Sequence, residues 1–161
     1  MRYTAKTLAS FPSITYLFKS PIFILSLSLG PFCWLVLYVL FAPPLDLLWP
    51  LSSPWLFVVP VFFYPVVEEL AFRGWLQGLL LEKKIGQYRL GSLTIANVCT
   101  SFLFAALHVV SYTDYWMGLV FFPSLIFGLL REQYRRVLPS IVVHSFYNFG
   151  FMLIFPKGLS I

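Results

Sequence analysis

Three charged side chains, Glu68, Glu69 and Arg73, interrupt an apolar run that extends from Trp55 to Leu81. A carboxylate at membrane depth is costly unless it is paired or faces a polar cavity, so these residues mark a candidate functional site. Glu69 and Arg73 are four residues apart and share a helical face, which predicts an ion pair. Glu68 lies about 100° further around the helix, without a local partner. It must therefore meet a group from another segment.

The two histidines of the chain, His108 and His144, both lie in apolar surroundings. His144 and Asn148 share a helical face, and a histidine and an amide in hydrocarbon both need polar partners. Phe104 lies one turn before His108, where its ring can pack against the imidazole. A lone histidine such as His108 is more often structural than catalytic. The whole pattern nevertheless predicts three helices that converge on one polar centre.

These residue types suffice to hydrolyse a peptide bond. Glu68 would take a proton from water as a general base, while His108 orients that water. His144 and Asn148 would direct donors at the oxyanion of the tetrahedral intermediate, and one such donor is worth roughly 2.7–4 kcal/mol in a known protease. Glu69, with its arginine partner, would have a structural role.

A metal-activated water is the alternative. Two histidines and a glutamate, here His108, His144 and Glu68, are a legitimate ligand set for zinc. The chain contains no HExxH motif, and no GxSxG motif precedes a suitable histidine, so zincins and serine hydrolases are not indicated. These residues alone leave both kinds of water activation open.

The composition indicates an integral membrane protein. Of 161 residues, 60% are hydrophobic and only 11% are charged, against about 25% charged in soluble domains. The net charge of +5 comes from basic residues that form no continuous stripe, so nucleic acid is not an expected partner. Cys33 and Cys99 lie in different apolar segments and are predicted to be small buried side chains, not a disulfide or a zinc knuckle.

The sequence predicts an all-α, multi-pass transmembrane bundle with five spans. Pro60 and Pro65 should kink the second span, and Pro65 should free the carbonyl of Val61. Two shorter broken helices are an alternative for that span. The predicted spans are residues 22–42, 55–81, 94–110, 116–130 and 139–155.

Lysine and arginine alternate between the connecting segments, which predicts a cytoplasmic amino terminus and an external carboxyl terminus. Residues 1–20 form a basic cytoplasmic segment, either an interfacial helix that uses residues such as Leu8 and Phe11 or a frayed tail. Residues 21–161 are expected to form one transmembrane domain.

Three motifs in this chain match those of a known family. EExxxR corresponds to Glu68–Arg73, FxxxH to Phe104–His108 and HxxxN to His144–Asn148. They occur in the order of the family, on separate apolar spans, and cover about residues 60–150. The chain therefore resembles the CPBP family, which comprises type II CAAX-prenyl endopeptidases and bacteriocin-processing proteins and is also called the Abi or glutamic intramembrane protease group.

The resemblance implies an intramembrane endopeptidase in which Glu68 and His108 activate water and His144 and Asn148 hold the oxyanion. It favours a reaction without a metal cofactor. The expected substrate is a membrane-anchored or lipidated protein or peptide. Typical members have more spans, often eight. The short chain is similar to bacterial members, which suggests a prokaryotic plasma-membrane enzyme that trims C-terminal anchors of sorted proteins.

Two other functions are weighed against the protease. In a non-catalytic membrane binding or immunity protein, the same polar centre would only hold helices together. A proton-coupled carrier is disfavoured because the chain shows no second, repeated half. Asn148 beside His144 discriminates among these, since an oxyanion hole uses an amide and a proton relay does not.

Overall fold

The computed structural model describes residues 17–113 and 115–155, and most of these residues are helical. The predictions for the interfacial segment fall on residues 1–16 and lie outside the described part of the chain, as does Lys157 near the carboxyl end. A short β-hairpin and two 3₁₀ turns, Ile85–Gln87 and Tyr115–Val120, connect the helices. In chain order the elements are α1 (Pro21–Phe41), α2 (Trp49–Ser52), α3 (Pro54–Leu81), β1 (Arg89–Leu90), β2 (Leu93–Thr94), α4 (Ile95–Tyr112), α5 (Phe121–Tyr134) and α6 (Leu138–Ile154).

The predicted all-α membrane bundle is confirmed, whereas the count of five spans is not. By length and composition, α1, α3 and α4 can each cross a membrane, and α6 is apolar but has 17 residues. The predicted span over residues 116–130 is divided between a 3₁₀ turn and α5, which begins only two residues before Pro123. Proline has no N–H to donate and is best tolerated in the first turn of a helix. The resulting 14-residue helix is about 21 Å long, shorter than a hydrocarbon core of about 30 Å.

Helix α3 is one continuous helix that contains two π-helical segments, Val59–Phe63 and Leu70–Leu76. In the first segment, the N–H of Tyr64 bonds to the carbonyl of Val59, five residues back. The carbonyl of Pro60 then has no backbone donor within the helix, since the residue five positions after it is Pro65, which has no N–H. Asn148 of α6 donates its Nδ2 to this carbonyl at 2.8 Å. The carbonyl that receives a side chain from another helix is therefore that of Pro60, where the sequence pointed to Val61.

The second π segment exposes a carbonyl in the same way. The N–H of Gln77 bonds to the carbonyl of Phe72, five residues back, and so does not take the carbonyl of Arg73. Arg131 of α5 donates its Nε to that carbonyl at 3.2 Å. Each π segment of α3 thus presents a backbone acceptor to a side chain of a neighbouring helix, which is a common use of such irregular turns.

A polar seam joins α3 to α5. Its members on α3 are Glu69, Arg73 and Gln77, and its members on α5 are Ser124, Gly128 and Glu132. Gln77 donates its Nε2 to the Gly128 carbonyl at 3.2 Å and to the Glu132 carboxylate at 2.8 Å. Position 128 has no room for a side chain, because a Cβ on Gly128 would lie 2.0 Å from Oδ1 of Asn97 on α4. The seam therefore also fixes the position of α4.

Cys33 and Cys99 are exposed, so the prediction that they are buried is wrong. Hydrocarbon accepts an apolar side chain as readily as a protein interior does. Hydropathy therefore indicates that these residues belong to membrane segments but does not indicate which face they occupy.

Helices α1 and α6 pack closely around Trp34, whose indole N–H donates to the carbonyl of Tyr147 at 3.2 Å. The hydroxyl of Tyr147 in turn donates to the carbonyl of Ser26. Gly150 makes room for the indole, because a Cβ at that position would lie 2.2 Å from the Trp34 ring. This contact holds α6, which carries His144, against α1.

We expect Gly150→Ala to destabilise the protein by about 1–3 kcal/mol, the usual cost of inserting a methyl group into a filled contact. Gly78→Ala is the matched control, because a Cβ at Gly78 meets nothing within 4 Å and alanine is the better helix former. Thermal unfolding in detergent should show a lower melting temperature for the first variant only. Equal shifts in both variants would contradict the packing of Trp34 on Gly150.

Candidate active site

The site is built around a fully buried ion pair between Glu69 and Arg73. Both side chains are 0% exposed, and Arg73 Nη1 lies 3.1 Å from Glu69 Oε1. Nη1 makes no hydrogen bond to a described residue, so its contact with Glu69 is ionic. Nη2 donates to the carbonyl of Ser124 at 3.0 Å and to its hydroxyl. The guanidinium also lies 4.8 Å from the ring centre of Phe104 and 5.4 Å from that of Phe127, within cation–π range.

His144 lies between the two adjacent glutamates. Its Nδ1 is 2.9 Å from Oε1 of Glu69, and because an ionised carboxylate only accepts, Nδ1 carries a proton. Its Nε2 is 3.7 Å from Oε2 of Glu68, within ionic range but too far for a hydrogen bond. The ring stacks on Phe127 with a centroid distance of 4.6 Å and an interplanar angle of 17°. The direction of the imidazole is therefore fixed by a carboxylate on one edge and an aromatic ring on one face.

His108 is oriented by its own helix. Its Nδ1 lies 2.9 Å from the carbonyl oxygen of Phe104, which can only accept, so Nδ1 is the protonated nitrogen and Nε2 of the neutral ring has a free lone pair. The ring of Phe104 lies 4.3 Å from that of His108, as the one-turn spacing predicts. Tyr112, one turn further on, stacks on the opposite side at 6.0 Å and 27°.

Glu68 differs sharply from the glutamate that follows it. Its side chain is 28% exposed, whereas that of Glu69 is 0% exposed. It lies close enough to His144, His108 and Tyr112 to interact with each electrostatically. It therefore has access to the surroundings of the protein and lies near both histidines.

Asn148 completes the arrangement from α6. One N–H of its amide is donated to the Pro60 carbonyl, which fixes the orientation of the group. The described residues provide no other hydrogen bond to this side chain, so its second N–H and its Oδ1 are available to a ligand. The three predicted segments, α3, α4 and α6, thus bring Glu68, His108, His144 and Asn148 to one region.

Within residues 17–113 and 115–155, no three His, Cys, Asp or Glu side chains are grouped closely enough to hold a metal ion. The three ligands considered for zinc are Glu68, His108 and His144. Both histidines already use Nδ1, one with Glu69 and the other with the Phe104 carbonyl. Each therefore has Nε2 alone for a further partner.

Three contacts of the site have no counterpart in the sequence motifs. Ser124 binds Arg73, but a serine in an apolar segment gives no sign of its partner. The Pro60 carbonyl binds Asn148, and only the spacing of Pro60 and Pro65 hinted at a freed acceptor. Tyr112 could have been found from its position four residues after His108.

A comparison with protein-family models matches residues 50–150 to the model described as Type II CAAX prenyl endopeptidase Rce1-like. No curated protein and no solved structure matches the chain. The matched residues contain all of α3, α4 and α5 and most of α6, and hence every residue of the site described above.

We expect Glu69→Gln and Arg73→Gln each to reduce stability, because each removes the ion-pair partner of a fully buried charge. Breaking a buried pair in this way costs about 3–5 kcal/mol. The double variant should recover part of the loss, since no lone charge remains. Melting temperatures of the three variants in detergent measure the effect.

Glu82→Gln is the control for this series, because Glu82 is exposed at the end of α3 and surface substitutions usually change stability by less than about 0.5 kcal/mol. A double variant that is less stable than both single variants would contradict a mutual ion pair.

Proposed function

Because the chain belongs to the Rce1-like family of type II CAAX prenyl endopeptidases, we propose that it is an intramembrane endopeptidase whose water is activated by Glu68. The observation that carries this proposal is the difference between the two adjacent glutamates. Glu69 is buried and engaged by Arg73 and His144, whereas Glu68 is partly exposed and lies near both histidines. Only Glu68 can meet a water and a substrate.

In the proposed reaction, water binds between Glu68 and Nε2 of His108, whose lone pair can accept a hydrogen bond from it. Glu68 takes one proton as the water oxygen bonds to the scissile carbonyl carbon. The carbon–nitrogen bond then breaks, and Glu68 passes the same proton to the leaving amine. The second proton of the water remains on the new carboxyl group until that group ionises.

The developing oxyanion would be stabilised from α6. Asn148 retains an amide N–H that no described residue uses, and Nε2 of His144 donates a hydrogen bond when the ring carries both of its protons. Fixed donors of this kind need no reorganisation as charge develops. Glu69 acts as a positioning residue, because its bond to Nδ1 of His144 aims Nε2 toward Glu68.

For the substrate we propose a membrane-anchored or lipidated protein whose C-terminal anchor is removed. Apolar side chains of α3, such as Val67 and Leu70, are exposed on either side of the two glutamates, which suits the approach of an apolar segment. We further propose a prokaryotic plasma membrane, with the loop from Lys83 to Arg89 on the cytoplasmic side.

We expect Glu68→Gln to abolish cleavage while leaving the melting temperature nearly unchanged, because the amide keeps the volume but is not a useful base. The assay is mass spectrometry of membrane peptides from cells that express each variant, which detects a new carboxyl terminus. Glu82→Gln, the same substitution at an exposed residue just after α3, should cleave normally.

If Glu68→Gln cleaves normally, the proposed base is wrong. If the intact protein produces no new carboxyl terminus but captures a membrane peptide as well as Glu68→Gln does, a non-catalytic binding or immunity protein is the better assignment.

We also expect purified protein to contain no stoichiometric zinc and to remain active in a strong chelator. This follows from the proposed activation of water by Glu68. Among the residues that the structure describes, no three His, Cys, Asp or Glu side chains are grouped closely enough to hold a metal ion. Elemental analysis and the cleavage assay provide the two measurements. Activity that is lost to the chelator and restored by zinc would instead make these three residues metal ligands.

A further inference from the structure

A polar cleft opens where the β-hairpin meets the end of α5. It has a volume of about 240 Å³ and is lined by Arg89, Leu129, Glu132, Gln133 and Arg135. Sites for drug-sized ligands usually measure about 300–1,000 Å³, so this cleft suits a smaller group. None of its residues belongs to the candidate active site.

Glu132 does not make the cleft acidic, because its carboxylate is already engaged. One oxygen accepts hydrogen bonds from Gln77 at 2.8 Å and from Thr94 at 2.6 Å. The other lies 3.7 Å from Nη2 of Arg89. The carboxylate therefore holds the base of the cleft and directs Arg89 into it.

The two arginines retain unused donors. Arg89 is 59% exposed and uses Nη1 only for the carbonyl of Ser92 at 3.1 Å. Arg135 is exposed and makes no hydrogen bond or ion pair with the described residues. Its φ of 54° is a left-handed conformation that glycine or asparagine adopts at lower cost. Neither backbone geometry nor a partner in the described chain accounts for an arginine at this position.

We propose that this cleft binds the phosphate group of an anionic phospholipid. Two arginines and one glutamate give the cleft one net positive charge, and the planar guanidinium matches phosphate with paired hydrogen bonds. The cleft lies where α3 and α5 end, which is the level at which helices leave hydrocarbon and head groups begin. Leu129 supplies an apolar wall of the cleft. This position favours a lipid over free phosphate as the source of the group.

The test compares two pairs of charge-removing substitutions on the same end of the bundle. Arg89→Gln with Arg135→Gln alters the cleft, whereas Lys83→Gln with Lys84→Gln removes equal charge from exposed residues outside it. Native mass spectrometry in detergent measures binding of phosphatidylglycerol and phosphatidylcholine. We expect the cleft pair to weaken phosphatidylglycerol binding roughly tenfold or more and the lysine pair to weaken it less than about threefold.

Equal losses in the two pairs, or equal binding of the two lipids by the unaltered protein, would overturn the proposal. The single variant Arg135→Gln is the control for misfolding, because the Arg135 side chain has no partner among the described residues whose loss could destabilise the fold. It should weaken phosphatidylglycerol binding at an unchanged melting temperature, and unaltered binding would also overturn the proposal. Displacement of the lipid by an equal concentration of inorganic phosphate would assign the cleft to free phosphate instead.

Discussion

The carboxylate of Glu69, buried at the centre of a membrane-spanning helix, is the constraint to which the rest of the structure responds. A charge in this position needs an opposite charge and hydrogen bonds, or the helix would not remain in the membrane. Arg73 supplies the charge. Its guanidinium in turn donates to Ser124 through Nη2 and lies within cation–π range of Phe104 and Phe127. Nδ1 of His144 donates a hydrogen bond to Oε1 of the same carboxylate. One buried carboxylate thereby fixes α3 against both α5 and α6.

The seam between α3 and α5 continues from this ion pair in one direction, from Arg73 and Ser124 to Gln77 and Glu132. Small residues on α5, Ser124 and Gly128, let the two backbones approach closely, a usual feature of helix contacts in membranes. Gln77 and Glu132 close the seam on the side of the basic loops. The π segments of α3 contribute in a different way, because each leaves a carbonyl that a neighbouring helix can bind. Irregular backbone at membrane depth is tolerated here because side chains satisfy the carbonyls it leaves over.

The sequence predicts the helical membrane fold, the ion pair and the set of residues that meet, because each rests on local spacing and on the cost of burying polar groups. The contact between His144 and Glu69 could not be predicted, since both glutamates were available to a histidine from another helix. The register of the π segments depends on which N–H bonds to which carbonyl. The amino-acid sequence reveals only the positions of the prolines, which lack an N–H. Hydropathy also could not place Cys33 and Cys99, because protein interior and lipid are equally apolar.

Two contacts from α6 to α3 decide how well the candidate site is aligned. His144 binds Glu69 and Asn148 binds the Pro60 carbonyl, so the two helices run antiparallel and are joined at two heights. One contact alone would leave α6 free to rotate or slide, whereas two contacts about 6 Å apart along α6 fix both rotation and register. The first contact uses only Nδ1 of His144, and the second uses only one N–H of the Asn148 amide. Nε2 of His144 and the second N–H of Asn148 therefore stay available on the same face, held by the bonds that keep the helices in place.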